Sequence, residues 1–302
     1  MHQALYRKWR PRNFDEVSGQ EQVTSVLRYE CETGHFSHAY LFCGSRGTGK
    51  TSCAKILAKA VNCEHPTSAG PWGGCADCRS IDSGAATDVL EMDAASNNGV
   101  DDIRDIRDEV IYTPSELKYR VYIIDEVHML STAAFNAFLK TLEEPPSYAI
   151  FIMATTEKHK VLPTILSRCQ IYDFNRIGIN DVVKQLQMIA EKEGIKTEPE
   201  GLSIIAQKAD GAMRDALSIF DQVTVCSGGD VSYKNVIENL NVLDYDYYFK
   251  LVENFNQGNI TDALLTFNSI LSKGFDAQHF VSGLSSHLRN LFPITYSPSP
   301  DQ

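Results

Sequence analysis

A glycine-rich segment between a strand-like run and a helix-like run constrains this chain more than any other feature. Residues 44–51 read GSRGTGKT and fit the pattern G-x-x-x-x-G-K-[ST]. The apolar run 39–43 precedes them and residues 51–61 have a helical pattern, which is the context in which this motif binds phosphate. A parallel α/β sheet places such a turn at the end of a strand. The predicted phosphate-contacting residues are Gly44, Ser45, Arg46, Gly47, Thr48, Gly49, Lys50 and Thr51.

This motif and a later one supply the parts of a nucleotide hydrolase. The glycines allow backbone N–H groups to surround phosphates, Lys50 is expected to reach the β and γ phosphates, and Thr51 is expected to bind Mg²⁺. Residues 121–128 (VYIIDEVH) form an apolar strand that ends in two acids. We expect Asp125 to hold Mg²⁺ and Glu126 to act as general base on the attacking water. A protein that only binds nucleotide does not need the second acid, so the pair predicts a Mg-dependent ATPase.

The hydrophobic pattern predicts an α/β domain followed by helical regions. Strand-like runs first alternate with helical ones, which indicates a doubly wound parallel sheet. The expected strands are residues 39–43, 88–93, 119–125, 148–155 and 170–174. Strand-like runs then vanish, and the expected helices are residues 180–192, 199–209, 212–226, 244–257, 260–273 and 276–292. The predicted domains are residues 1–176, 177–240 and 241–302, with a disordered tail from about residue 293.

The net charge and the lengths of the apolar runs indicate which kinds of partner and which compartment to expect for the chain. Its net charge of −11 argues against uniform coating by nucleic acid. A local basic group is still present at Arg7, Lys8, Arg10 and Arg12. No apolar run approaches the roughly 20 residues that a transmembrane helix needs, and residues 1–12 form no apolar signal segment. We therefore expect a cytoplasmic protein without a membrane partner.

Several motifs together give the chain a specific family resemblance. Besides the two nucleotide motifs, they are residues 6–11 (YRKWRP), 93–96 (DAAS), 139–146 (LKTLEEPP), 155–156 (TT), 167–169 (SRC) and 211–216 (GAMRDA). This set resembles the clamp-loader group of AAA+ ATPases, and within it the γ/τ subunits of bacterial DNA polymerase III. The resemblance covers about residues 4–290. It implies that residues 177–240 are the family's helical lid and that residues 241–302 begin its oligomerisation collar.

The resemblance also implies roles for single residues. Thr156 takes the place of a polar sensor of the attacking water or the γ-phosphate, with Thr155 as the alternative. Arg214 matches a lid arginine that contacts the phosphates of its own subunit. Arg168 matches an arginine finger that reaches the ATP of the adjacent subunit, so a single subunit should hydrolyse ATP slowly. The residues expected around adenine and ribose are Tyr6, Arg10, Pro11 and Val17.

The cysteines predict a metal site. Eight cysteines at irregular spacing do not form a disulfide scaffold, and three of them lie close together in a reducing compartment. The family's inserted loop, here residues 62–80, holds zinc with one cysteine followed by a C-x-x-C-x-x-C run. Trp72 stands at the second of these four positions and cannot bind zinc. A histidine is the expected replacement, while Asp77, water or a metal-free loop remain open. The expected zinc ligands are Cys63, Cys75, Cys78 and His65.

The resemblance implies a motor within an assembly. ATP would lie between two subunits of a heteropentamer, whose ATP-bound form grips a sliding clamp and primer–template DNA and releases them after hydrolysis. Residues 96–99 (SNNG), just before the helical run 100–110, are a candidate DNA contact or an ordinary helix cap. No polymerase site is visible in the chain, although the family belongs to a polymerase holoenzyme, which is a transferase.

Two other functions remain open at this point. One is a different AAA+ motor, such as a hexameric branch-migration helicase, against which the collar-like helices and the cysteine loop argue. The other is a scaffold subunit that does not hydrolyse ATP. The presence of Lys50, Glu126 and Arg168 argues against this second function.

Overall fold

Five apolar runs pair into one sheet in the computed structural model, which describes residues 3–240, 245–272 and 276–296. The strands are β1 (Ala39–Gly44), β2 (Val89–Asp93), β3 (Arg120–Asp125), β4 (Ala149–Thr155) and β5 (Gln170–Phe174). They lie in the order β2-β3-β4-β1-β5, and every pair is parallel. The central strands β1, β3 and β4 are almost wholly buried, as expected when helices cover both faces of a sheet.

Helices pack on both faces of this sheet. The helices of the described chain, in both of its compact units, are α1 (Leu5–Lys8), α2 (Glu21–Thr33), α3 (Lys50–Asn62), α4 (Ala76–Ser83), α5 (Val100–Glu109), α6 (Thr132–Glu143), α7 (Pro163–Leu166), α8 (Ile179–Glu193), α9 (Pro199–Lys208), α10 (Met213–Cys226), α11 (Tyr233–Leu240), α12 (Tyr245–Asn256), α13 (Ile260–Ser272) and α14 (Ala277–Tyr296). Successive strand residues point to opposite faces. Tyr40 and Phe42 of β1 share a core with α2 and α3, whereas Leu41 shares a second core with α5 and α6. Each fully buried large side chain stabilises the fold by about 1.5–3 kcal/mol.

The chain divides into two compact units. The larger unit comprises Met1–Gly194 and Leu202–Gln222, and the smaller unit comprises Ile195–Gly201 and Val223–Gln302. The larger unit holds the sheet together with α8 and most of α10. This division does not follow the boundary expected at residue 176, and the arrangement in three domains stays a prediction.

The smaller unit is mainly helical. Its strands β6 (Lys196–Thr197) and β7 (Asp230–Val231) form a short parallel pair. Helices α12 and α13 pack on each other and on α14 around a small apolar core. The buried members of that core are Tyr248, Leu251, Ala263, Ile270 and Phe280. Within the described residues, every helix is too short or too polar to cross a membrane.

The sequence predicted the sheet well and several smaller elements poorly. All five predicted strands of the sheet are confirmed to within one residue at each end. The expectation that strands vanish after residue 175 is wrong for β6 and β7, because two-residue strands are too short to give an alternating pattern. Helix α4 begins within the segment 62–80, which was expected to be a loop, and continues three residues beyond it. The Cys75 sulfur accepts the N–H of Cys78 at its start, and Gly84 ends it in a left-handed conformation.

The C-terminal expectation differs from the structure in part. The backbone stays helical to Tyr296, past residue 293, where a disordered tail was expected to begin. Residues 297–302 of the expected tail lie outside the described residues.

Candidate nucleotide site and a cysteine cluster

The phosphate loop joins the carboxyl end of β1 to the amino end of α3. Gly47 and Gly49 have φ of +78° and +105°, in the left-handed range that favours glycine. A Cβ on Gly47 would lie 2.8 Å from the Cβ of Ala212, so the loop has no room for a side chain there. Helix α3 begins at Lys50, and its free N–H groups together with the loop amides form a cradle for anions.

Lys50 is buried beneath this loop. Its Nζ donates hydrogen bonds to the backbone oxygens of Gly44 and Ser45, each at 2.8 Å. Burial lowers the pKa of Lys50, while the carboxylates of Glu126 and Asp125 act in the opposite direction. A cation held at this position, with little water around it, interacts strongly with phosphate charge.

The acids at the end of β3 lie next to the start of α3. The Thr51 hydroxyl donates a 2.7 Å hydrogen bond to Asp125 Oδ2, and Asp125 Oδ1 accepts the N–H of Glu126 at 3.0 Å. A hydroxyl beside a carboxylate at a phosphate loop is a ligand pair that suits Mg²⁺. The donor set therefore fits the expected metal through Thr51 and Asp125.

Glu126 is held by Thr156, the residue that directly follows the neighbouring strand β4. The hydroxyl and the N–H of Thr156 donate to Glu126 Oε2 at 2.9 Å and 3.2 Å. Thr155, the alternative from the sequence, is fully buried and bonds His128 Nδ1 at 3.1 Å instead. Of the two threonines, Thr156 therefore faces the candidate base.

His128 belongs to this network and is not among the site residues that the sequence motifs predict. Its Nδ1 lies 3.4 Å from Glu126 Oε2, and its Nε2 lies 3.7 Å from Glu157 Oε1. The one available signal was its position two residues after the second acid of the strand. His128 thus joins the candidate base to the start of the segment after β4.

A cavity of about 870 Å³ opens above the phosphate loop. This volume suits a ligand of nucleotide size. Of the predicted site residues, those that line it are Val17, Arg46, Gly47, Thr48, Gly49, Lys50, Thr51, Asp125, Glu126 and Arg214. The residues expected around adenine and ribose, Tyr6, Arg10 and Pro11, also line it. Gly44, Ser45 and Thr156 are not among the lining residues, but Thr156 is hydrogen-bonded to Glu126, which lines the cavity.

Arginines bring positive charge to the cavity. The Arg214 guanidinium carbon lies 5.3 Å from the centre of the Tyr6 ring. Arg10 donates from Nε to the Ser52 hydroxyl at 3.2 Å. Burial lowers the pKa of Arg10, with Glu91 acting in the opposite direction. Arg46 is mostly exposed, and its Nη2 lies 3.5 Å from Asp215 Oδ1. The cavity therefore matches a ligand with several negative charges.

Arg168 is not brought to this cavity. Its Nη2 donates to Glu143 Oε1 and its Nη1 to the Thr164 backbone oxygen, both at 2.8 Å. It precedes the amino end of β5, whereas the phosphate loop follows the carboxyl end of β1, which pairs with β5 in parallel. Arg168 and the loop are therefore at opposite ends of neighbouring strands.

Three cysteines of the inserted loop form a cluster that we call the thiol cluster: Cys63, Cys75 and Cys78. Their sulfurs lie within 4.8 Å of one another, and the sulfurs of Cys63 and Cys75 are 3.9 Å apart. Burial acts to raise the pKa of the Cys75 thiol, but hydrogen bonds, first from the Cys78 N–H, outweigh it and lower that pKa. Soft thiolate ligands in such a group fit Zn²⁺.

His65 is not a member of the thiol cluster, contrary to our expectation. Its ring packs edge-on against Trp72, with the ring centres 6.0 Å apart. The imidazole contacts the indole, and no nitrogen of His65 is among the ligand atoms that lie within 4.8 Å of one another. The expected fourth ligand is therefore not supplied by this residue in the structure.

The segment 96–99 makes hydrogen bonds within the chain. Asn97 Nδ2 donates to the Asp93 backbone oxygen at 3.2 Å, and the Gly99 N–H donates to Asp102 Oδ2 at 3.0 Å. The second contact caps the start of α5. Contact of this segment with DNA stays a prediction.

Sequence comparison places these features in a known family. The family model described as DNA polymerase III, delta subunit, matches residues 19–178, and the one described as DNA polymerase III clamp loader subunit, ATPase lid domain, matches residues 181–229. DNA polymerase III subunit tau of Bacillus subtilis is 49% identical over 99% of this chain and 53% of its own length. For subunit tau of Escherichia coli these values are 41%, 99% and 46%. The chain thus spans about half the length of these curated relatives.

Solved structures agree at the level of the fold. The RuvB Holliday junction branch migration motor of Thermotoga maritima superposes with a TM-score of 0.58 and 20% sequence identity. The match covers 82% of this chain and 78% of that one. This likeness confirms the predicted fold, a parallel sheet followed by helical parts.

A shorter relative settles the family. DNA polymerase III subunit gamma of Buchnera aphidicola is 38% identical over 99% of this chain and 82% of its own length. The resemblance inferred from the sequence motifs is confirmed by these matches, which extend over nearly the whole chain. The chain belongs to the family of DNA polymerase III gamma and tau subunits.

Proposed function

We propose that this chain is an ATP-hydrolysing motor subunit of a bacterial DNA polymerase III clamp loader, which loads a sliding clamp onto primed DNA. The observation that carries the proposal is the convergence of Lys50, the Thr51–Asp125 pair and the Thr156-held Glu126 beside one cavity. A subunit that only serves as a scaffold does not require the carboxylate that orients water.

The residues of the cavity bind the nucleotide in this proposal. Loop amides and Lys50 hold the phosphates, and Arg214 approaches them from α10. Thr51 and Asp125 would hold Mg²⁺, which would neutralise phosphate charge. Tyr6, Arg10, Pro11 and Val17 surround the base and the sugar.

Glu126 is the general base in the hydrolysis step. Its carboxylate accepts a proton from the water that attacks the γ-phosphorus, while the bond to the β–γ bridging oxygen breaks. Thr156 fixes the direction of that carboxylate by its two hydrogen bonds. Because the carboxylate is already oriented, less entropy is lost when the reaction reaches its transition state.

Arg168 acts on a neighbouring subunit in this proposal. Its place at the far end of the strands from its own phosphate loop supports a role in trans. An arginine finger adds about 10³–10⁵ to the rate of phosphoryl transfer. The isolated chain should therefore turn over ATP slowly, and assembly with the other loader subunits of a heteropentamer should accelerate it.

The partners follow from the family. We propose that ATP favours an arrangement of subunits that grips the clamp and primer–template DNA, and that hydrolysis removes the contacts to the γ-phosphate. The lid at 177–240 and the helices of 241–302 would connect the nucleotide to the neighbouring subunits. The protein would act in the cytoplasm.

We further propose that the thiol cluster holds one structural Zn²⁺. Three thiols within 4.8 Å, two of them buried, support this role. Hydrogen bonds from backbone N–H groups to sulfur, from Trp72 to Cys63 and from Cys78 to Cys75, are of the kind that stabilise thiolates.

The function is tested by measuring ATP turnover with and without partners. We expect slow turnover by the chain alone and a large stimulation only when partner subunits, sliding clamp and primed DNA are all present. The proposal is wrong if the chain alone, in hexamers, reaches full turnover on branched DNA, because that is the behaviour of a branch-migration motor. A Glu126→Gln variant should abolish turnover in either case.

A further inference from the structure

The thiol cluster supplies three ligands to a metal that takes four. Structural zinc sites are tetrahedral and closed by four protein ligands, whereas a site with three keeps one position for an exchangeable ligand. Cys78 and Cys75 are buried, at 0% and 4% exposure, and Cys63 is partly exposed. The cluster therefore has an inner side made by α4 and an outer side at Cys63.

No fourth ligand joins the cluster from the described residues. The group that can hold a metal contains the three cysteines and no other His, Cys, Asp or Glu of the described chain. His65 packs against Trp72. Asp77 lies in the first turn of α4, between two members of the cluster in sequence, and is not part of the group.

Residue 72 occupies the place beside the cluster from which a fourth ligand would come. The Trp72 N–H donates to Cys63 Sγ at 3.4 Å, so this backbone touches the outer sulfur. Residues 72, 75 and 78 follow one another at equal spacing of three. The indole itself is 57% exposed and lies over Gly74, where a Cβ would come within 2.9 Å of the ring. Tryptophan has no lone pair with which to bind the metal.

We propose that this site holds zinc by three thiolates and leaves its fourth coordination position, on the side of Cys63 and Trp72, to a small exogenous ligand. A low-molecular-weight thiol would bind there as its thiolate, in exchange for a water molecule and with release of the thiol proton to solvent. The inference rests on the proposed zinc site. Its consequence is a metal that binds more weakly and exchanges faster than in a site of four cysteines.

Cobalt substitution of the full chain tests the open position. Co²⁺ takes the place of Zn²⁺ and reports thiolate ligands by its absorption, and the probe for the open position is 2-mercaptoethanol in a buffer whose reductant contains no thiol. We expect one Co²⁺ per chain and a spectrum that changes when 2-mercaptoethanol is added. The thiolate-to-cobalt band should grow by about one third, because a fourth thiolate joins three.

A set of variants separates the possible fourth ligands. Trp72→Cys should give the larger band without 2-mercaptoethanol, should not respond to it, and should bind Zn²⁺ about tenfold or more tightly than the wild type in competition with a chelator. Trp72→Phe keeps an aromatic ring without adding a ligand and should behave as the wild type does. His65→Ala should also leave the cobalt spectrum unchanged.

The outcomes distinguish the two levels of the proposal. A wild-type spectrum that ignores 2-mercaptoethanol, or that changes in His65→Ala, means that the protein already supplies four ligands and overturns the open position alone. Absence of stoichiometric metal in the wild type, together with an unchanged result in Cys75→Ser, overturns the zinc site as well. ATP turnover is not used as a readout, so neither result bears on the proposed motor function.

Discussion

At the scale of single residues, Glu126 combines a left-handed backbone with a carboxylate that is held by hydrogen bonds. Its backbone has φ of +49°, a left-handed conformation that costs a residue with a side chain of the order of 1–3 kcal/mol. The conformation is kept because Asp125 accepts the Glu126 N–H and Thr156 holds its carboxylate. Such a position is typical of a group whose direction matters for chemistry, and it supports the role of general base.

Removing the Thr156 hydroxyl should slow hydrolysis without weakening nucleotide binding. Thr156→Val deletes the 2.9 Å hydrogen bond to Glu126 and keeps the shape of the side chain. We expect turnover in the assembled complex to fall by about tenfold to a hundredfold, with an unchanged Kd for ATP. Thr156→Ser keeps the hydroxyl and serves as the control. Wild-type turnover in Thr156→Val would remove this residue from the mechanism.

Lys50 should matter for binding itself. We expect Lys50→Ala to weaken ATP binding by about a hundredfold or more, because the variant lacks the buried ammonium that donates a charged hydrogen bond to phosphate. Titration of the isolated chain with a fluorescent ATP analogue measures this affinity. The exposed Lys184 of α8 offers a control, since Lys184→Ala removes a lysine that does not line the cavity. An affinity equal to that of the wild type in Lys50→Ala would refute the phosphate-loop assignment.

The sequence allowed the loop, the acids and the sheet to be predicted, because each depends on local pattern. It did not decide between Thr155 and Thr156, since the choice depends on the residue at which β4 ends and on what the next side chain meets. The packing of His65 on Trp72 could not be predicted from the sequence either, because it is a contact between two side chains of an irregular loop. Pattern predicts elements, whereas the pairing of particular atoms requires the fold.

At the scale of elements, a buried carboxyl joins three parts of the larger unit. Glu30 of α2 accepts hydrogen bonds from Tyr40 of β1 at 2.8 Å and from Tyr172 of β5 at 3.0 Å. Burial raises the pKa of Glu30, and the hydrogen bonds from both tyrosines oppose this shift. The folded chain therefore favours the neutral carboxyl over the carboxylate more strongly than the unfolded chain does.

This carboxyl predicts a dependence of stability on pH. Because the folded-state pKa of Glu30 lies above the unfolded one, its contribution to stability is fully present below the unfolded pKa and is lost as pH rises through the folded pKa. Glu30→Gln mimics the neutral form, so its stability relative to the wild type should increase as pH rises. Urea unfolding between about pH 4 and pH 8 measures the difference. The exposed Glu32 on the same helix gives the control Glu32→Gln, and parallel curves for Glu30→Gln and the wild type would contradict the prediction.

At the scale of the whole molecule, the phosphate loop and Arg168 belong to opposite ends of the same parallel sheet. The motifs alone do not predict this relative position, because the order of the strands in the sheet is not visible in a sequence. The parallel pairing of β1 and β5 determines that the end of one strand and the beginning of the other lie apart. This geometry favours a finger that serves another subunit.

Arg168→Ala should separate binding from turnover. We expect an unchanged Kd for ATP in the isolated chain and a loss of about a thousandfold in the turnover of the assembled complex. Arg104→Ala removes an exposed arginine that pairs with Asp101 on α5 and should leave both quantities unchanged. A loss of ATP affinity in the isolated Arg168→Ala chain would show that the arginine acts on its own nucleotide.

A molecule that carries the two halves of a reaction centre at opposite ends has two different ends. If such molecules line up head to tail without closing on themselves, the first leaves a loop that no arginine reaches, and the last leaves an arginine with no loop to serve. The number of complete centres is then one fewer than the number of molecules in the row. Counting the sites with fast turnover in an assembly would thus show whether the molecules form an open row or a closed ring.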